Sequence, residues 1–346
     1  MSFAMTGRVT AAALLFSALC VTRNGHPAQA STAPRGTPGP PSASTTCTLR
    51  GVSEPRINAD IEDAQGKVVA RFSGAPTPLL VSDFPVEARG RVRVETGTGA
   101  GGFRIRGFMP VADLPLFTAA DVPVIAEHVW IASGRSVNFV SSAPGRLRIE
   151  KRTTHQISQT FTAWATCNSL ALAASSGTGA NPGNARGYVL KKQNLEIFDQ
   201  PAGNSLLNLT RAPDADSVLF FSSEQRTDWV SISYHGDVVI QAWARARDLV
   251  ALAPGEAIDQ LAPRSMQRSP ARLAIQGEPR IVKPVRDVPL RAAARETDTP
   301  IGVVEPGAET YVLDVVAGWA SVMPKALNVV PGPEGQFWVK TSDLGI

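Results

Sequence analysis

The chain has 346 residues, 43% of them hydrophobic and 18% charged, a balance that fits two or three globular domains and argues against wholesale disorder. Its 34 basic and 30 acidic residues leave a formal charge of +4, too small for a general nucleic-acid binder. Gly 29 and Pro 27 favour turns over long helices.

The N-terminus reads as a secretory signal over residues 1–30. Arg8 supplies the positive end, Ala11 to Val21 the apolar stretch, and Ala28-Gln29-Ala30 a small-x-small cleavage site before Ser31. The apolar stretch is too short to span a bilayer, which needs about 20 residues. Cys20 keeps a second reading open. Ser17-Ala18-Leu19-Cys20 resembles a lipoprotein lipobox, although Leu19 stands where a small residue is expected. Residues 31–46 (STAPRGTPGPPSASTT) hold almost only Ser, Thr, Ala, Pro and Gly, the composition of an extended tether.

Cleavage after Ala30 leaves two cysteines, Cys47 and Cys167. In an oxidising compartment an even pair is expected as a disulfide, two free buried thiols being the alternative.

Beyond the tether, one pattern recurs four times: an aromatic residue with Leu six positions later. The pairs are Phe108 and Leu114, Trp164 and Leu170, Trp243 and Leu249, and Trp338 and Leu344. Asp113, Asp248 and Asp343 precede the Leu in three copies and Ser169 in the other. Upstream of each aromatic lies a short alternating run: Arg91 to Val94, Arg146 to Ile149, Trp229 to Ile232 and Trp319 to Val322. Alternation of period two predicts strands, and short strands between Gly, Pro, Asp and Ser predict small antiparallel barrels. The fold class expected is all-β.

Units three and four carry a Gly-Trp or Asp-Trp that opens a Trp-x-x-Val/Ile strand, and a later Trp followed by Asp-Leu. Unit four adds Ile301 to Gly307 (IGVVEPG) before its central strand. This layout resembles bacterial Src-homology-3-like (SH3-like) domains, most clearly in residues 188–250 and 281–345. In the first two units Arg91 and Arg146 replace the first Trp, and Phe108 replaces the second in unit one. The expected organisation is a double unit over 47–172, either two SH3-like copies or one fused domain, a linker at 173–187, a unit at 188–250, a linker at 251–280 and a unit at 281–346.

Motifs for catalysis are missing from the sequence: no HExxH, GxSxG, P-loop or dinucleotide turn. The run Thr96 to Gly102 (TGTGAGG) joins two strand-like segments and reads as a hairpin loop. Asp60, Glu62 and Asp63 lack calcium-loop spacing. No cofactor and no metal is expected.

Two sets of binding residues stand out. Trp229 and Trp319, at strand openings, are groove candidates of the kind SH3-like modules use for peptides, whereas Trp243 and Trp338 are expected in the core. Arg91, Arg93, Arg104 and Arg106 alternate with Val92, Val94, Phe103 and Ile105, so a hairpin would gather four guanidinium groups on one face. Either an anionic envelope polymer or neighbouring Glu87, Glu95 and Glu150 would balance them. The resemblance implies a non-catalytic envelope protein that binds peptidoglycan, peptide or envelope protein, with no nucleic-acid partner and a membrane only if Cys20 is lipidated. A structural scaffold, or an enzyme with an unfamiliar site, are the alternatives.

Overall fold

The computed structural model describes residues 47–56, 58–73, 77–84, 90–97, 101–175, 185–253, 278–333 and 335–346. The expected signal peptide with Arg8 and Cys20, the tether, Glu87, residues 98–100 of the Gly-rich run and 254–277 lie outside them.

Twenty-seven strands follow the chain among the described residues. The first unit holds β1 (Leu49–Ser53), β2 (Asp60–Glu62), β3 (Val68–Phe72), β4 (Leu79–Phe84), β5 (Arg91–Thr96) and β6 (Phe103–Pro110). The second holds β7 (Leu116–Thr118), β8 (Val122–Ile125), β9 (Val129–Ile131), β10 (Ser136–Ala143), β11 (Arg146–Thr153), β12 (Gln159–Thr166) and β13 (Leu170–Ala171). The third holds β14 (Arg186–Leu190), β15 (Asn194–Phe198), β16 (Ser205–Thr210), β17 (Leu219–Arg226), β18 (Trp229–His235), β19 (Val238–Arg245) and β20 (Leu249–Ala251). The fourth holds β21 (Arg280–Val282), β22 (Val288–Leu290), β23 (Gly302–Val304), β24 (Thr310–Val316), β25 (Trp319–Pro324), β26 (Val329–Pro331), β27 (Phe337–Lys340) and a single helical turn, α1 (Thr341–Leu344).

The strands make four antiparallel sheets of nine, five, nine and four strands. Apart from short helical turns, the described residues are all-β, as the alternation predicts. Val92, Val94, Phe103 and Ile105 are buried from the β5–β6 hairpin, and the intervening arginines lie on its outer face. The same parity explains the aromatic-to-Leu repeat. Phe108, Trp164, Trp243 and Trp338 each sit in the last long strand of a unit, and the chain then makes a helical turn at 111–113, 167–169, 246–248 and 341–344. Leu114, Leu170, Leu249 and Leu344 re-enter the core after or at the end of those turns, all of them buried. Six residues on, and a turn between, the Leu closes what the strand opened.

Trp243 and Trp338 do not lie in the core. Ala242 and Ala244, and Phe337 and Val339, point inward, so strand parity sends each Trp to the outer face, half-buried.

Pairing between distant units organises the molecule. Along the outer edge of β6, β2 bonds at Phe108 and the unit-four strand β23 bonds at Phe103 to Ile105. Along β19, the unit-three strand β15 bonds at Trp243 and Ala244, and the unit-two strand β9 bonds at Val238 to Ile240. The two arrangements match in register up to a bulge between Pro123 and Ile125: Val288-Pro289 of β22 and Val122-Pro123 of β8 face Val304-Val303 and Ile131-Trp130. Even the closing bond is repeated, Arg106 N–H to Ile301 O and Gln241 N–H to His128 O, both 2.8 Å. A reverse contact completes each pair, β26 on β3 and Ile157 on Arg211. Units one and four are thus joined as units three and two are. One continuous apolar cluster runs through all four.

Units one and two are tied differently. Cys47 and Cys167 have their Cα atoms 5.5 Å apart and their sulfurs at bonding distance, and Phe84 meets Phe139 edge-on at 5.8 Å.

Candidate functional site

The four hairpin arginines share a face, yet three of them are engaged. Arg91 is only 17% exposed. It donates to Glu62 Oε2 at 3.0 Å and to the Asp63 and Ala64 carbonyls at 3.2 Å, and its guanidinium lies 5.4 Å from the Phe108 ring centre. Arg104 sits among Glu95, Asp287 and Glu305 at 3.4 to 3.7 Å. Arg106 donates to Glu95 Oε2 at 2.9 Å, with two thirds of its side chain in solvent. Glu95 therefore does the neutralising expected of it, joined by Glu62, Asp287 and Glu305 rather than by Glu150. Arg93 is exposed, and no described carboxylate lies within ion-pair distance of it.

The two Trp groove candidates are covered by the protein's own cations. Trp229 packs edge-on to Phe198 at 5.0 Å, and Arg245 lies 5.3 Å over its ring. Trp319 has Arg291 and Lys340 each at 6.0 Å. Similar pairs recur outside the candidates, Arg146 on Trp164 at 4.6 Å and Arg226 on Trp243 at 4.9 Å. Each unit thus stacks a cation on an outward aromatic, an arrangement worth about 0.5–1 kcal/mol at an exposed site.

A cleft of about 840 Å³ opens between units one and four. Its floor is the outer face of β5 and β6 with Arg93, Arg106 and Phe108; the β2–β3 turn with Asp63 and Lys67 forms one wall, and residues 292–301 form the other with Arg295 and Asp298. The turn is rigid because Asp63 Oδ1 accepts the Gln65 and Lys67 N–H groups, both at 2.9 Å. The opposite wall is anchored by Arg291, which donates to the Asp298 carbonyl. A volume of this size suits a small ligand or a short polymer segment.

A second opening of about 570 Å³ lies against Gly101, Gly102, Gly307 and Ala308. Its charges satisfy one another: hydrogen bonds from Lys325 and Lys283 hold the Glu309 carboxyl well down, to about 2. It offers a ligand little.

Among the described residues no group of three or more His, Cys, Asp or Glu could hold a metal, and no helix is long and apolar enough to cross a membrane. Arg93 and Arg106 are the sequence candidates that reach the cleft. Lys67, Phe108, Arg295 and Asp298 were not singled out as binding residues. A signal for the wall of Arg295 and Asp298 existed: between the strand that the shared Val-Pro opens and the residue before the next strand lie residues 291–300 in unit four and only Ala126 and Glu127 in unit two. No family model matches the chain, and no curated protein or solved structure matches it.

Proposed function

We propose that the protein is an exported, non-catalytic binding protein of a bacterial cell envelope, built of four SH3-like barrel units and holding a cell-wall polymer or an envelope peptide. The cleft between units one and four carries this reading. It combines a rigid β floor, a half-buried aromatic ring and exposed cations, the elements a sequence-tolerant polymer site uses. The pairing of Cys47 with Cys167 agrees with an oxidising compartment. The all-β layout and the four aromatic-to-Leu turns agree with the SH3-like resemblance.

Co-sedimentation of the purified chain with isolated wall sacculi, against the same assay with immobilised envelope peptides, tests the reading. Retention on either, reduced by Phe108→Ala, is expected. No retention on both materials would contradict it.

A further inference from the structure

We infer that the cleft between units one and four is an oxyanion site, taking a ligand segment that carries carboxylate or phosphate groups. The inference rests on the binding reading above and names its ligand chemistry.

The two matched unit pairs supply the argument. The fold joins units three and two with the same strand register as units one and four, so whatever the join itself needs should appear in both. It does not. Register places Ser231 where Arg93 stands, Gln241 where Arg106 stands, and Trp243 where Phe108 stands. The hairpin that closes units three and two ends at Ala126 and Glu127, and His128 Nδ1 lies 3.1 Å from the Gln241 carbonyl. In units one and four the hairpin instead runs on through residues 291–300 and forms a wall. Basic residues and the long wall are therefore additions to the join, not requirements of it.

Their charges converge. Lys67 comes from the β2–β3 turn, Arg93 from the sheet floor and Arg295 from the unit-four wall, one cation from each side of the cleft. All three are exposed, and none has an ion pair among the described residues. Arg106 adds a fourth guanidinium that shares its charge with Glu95. Two carboxylates oppose them. Both repel an anion; Asp63 Oδ1 also accepts two backbone N–H groups that hold the turn, so Asp298 is the one that can be changed without loosening that wall. Unpaired like charges held together repel one another, and a ligand oxyanion relieves that repulsion. Guanidinium forks at Arg93 and Arg295 suit both carboxylate and phosphate.

The full chain would be titrated by calorimetry with short-chain polyphosphate, poly-L-glutamate, neutral dextran and phosphatidylglycerol vesicles. Phosphate and carboxylate polymers are expected to bind and dextran is not; binding to vesicles would identify lipid headgroups as a source of the oxyanion. The triple change Lys67→Gln/Arg93→Gln/Arg295→Gln should weaken binding at least tenfold. The change Arg148→Gln/Arg152→Gln/Arg247→Gln, equal in charge and also at exposed positions, should weaken it less than twofold. Asp298→Asn should tighten binding about threefold. All altered residues other than Asp298 are exposed, and matching thermal unfolding of the variants checks that each folds. Equal loss in the two triple variants would overturn the site in favour of bulk charge. Failure of the wild-type chain to bind either polymer would overturn the oxyanion chemistry, while retention on sacculi would still uphold the binding reading.

Discussion

The bond between Cys47 and Cys167 can be removed by reduction or by substitution of both residues. Its two ends are 120 residues apart in sequence. In the chain-entropy model, closing a loop of that length restricts the unfolded chain by about 4.9 kcal/mol at 25 °C, and removal of native disulfides typically costs about 2–5 kcal/mol. Cys47 is buried, at 1% exposure, so alanine is the cleaner replacement; serine would place a hydroxyl in the core. For Cys47→Ala/Cys167→Ala, a denaturant slope of about 3 kcal/mol/M in urea converts this cost to a midpoint lower by roughly 0.7–1.7 M. Fluorescence-monitored urea unfolding of the oxidised chain, the reduced chain and the double variant provides the assay. Reduced and double-variant proteins should unfold together, well below the oxidised protein. Coincident midpoints for all three, or two free thiols in non-reducing peptide maps, would refute the bond.

Three other perturbations address the joins between units. Asp237→Asn should cost about 1–3 kcal/mol in urea unfolding, because Lys151, only 11% exposed, loses its 3.0 Å partner and a buried charge without a partner is costly; Lys151→Met in the same background should recover part of the loss. Burial and the nearby Asp237 raise Tyr234 to about 12. Its stabilising effect is full below the unfolded value near 10 and is lost as pH rises through the folded value, so Tyr234→Phe should flatten the fall in stability between pH 10 and 12, by up to roughly 3 kcal/mol. Gly302→Ala should destabilise by about 1–3 kcal/mol, since a Cβ there would fall on the Arg104 carbonyl oxygen and push β23 off β6; thermal unfolding measures it.

Local features of the fold are legible in the sequence where local parity decides them. Val92 and Val94 against Arg91 and Arg93 fix a strand and its faces, and the aromatic-to-Leu spacing marks the same helical turn in each unit. Parity also corrects the reading of Trp243 and Trp338, because small inward neighbours at Ala242 and Ala244, or large ones at Phe337 and Val339, decide which face is core. Partner choice was beyond reach. A strand such as β9 carries the same alternation whether it bonds within its own unit or to β19 more than a hundred residues away, so nothing in Val129 to Ile131 names its neighbour. The cleft inherits that limit, since Lys67 and Arg295 meet only through the joining of units one and four. Arginine neutralisation was half legible: Glu95 lies in the hairpin itself, whereas Asp287 and Glu305 arrive from the far end of the chain.

Hydrogen exchange on the full chain, with and without soluble wall fragments, tests the central claim most directly. Binding in the cleft predicts slowed exchange at the N–H groups of residues 63–67 and 292–301, with the outer faces of β18 and β19 around Trp229 and Trp243 unchanged. Protection confined to β18 and β19, with residues 63–67 and 292–301 exchanging as in the free protein, would contradict it.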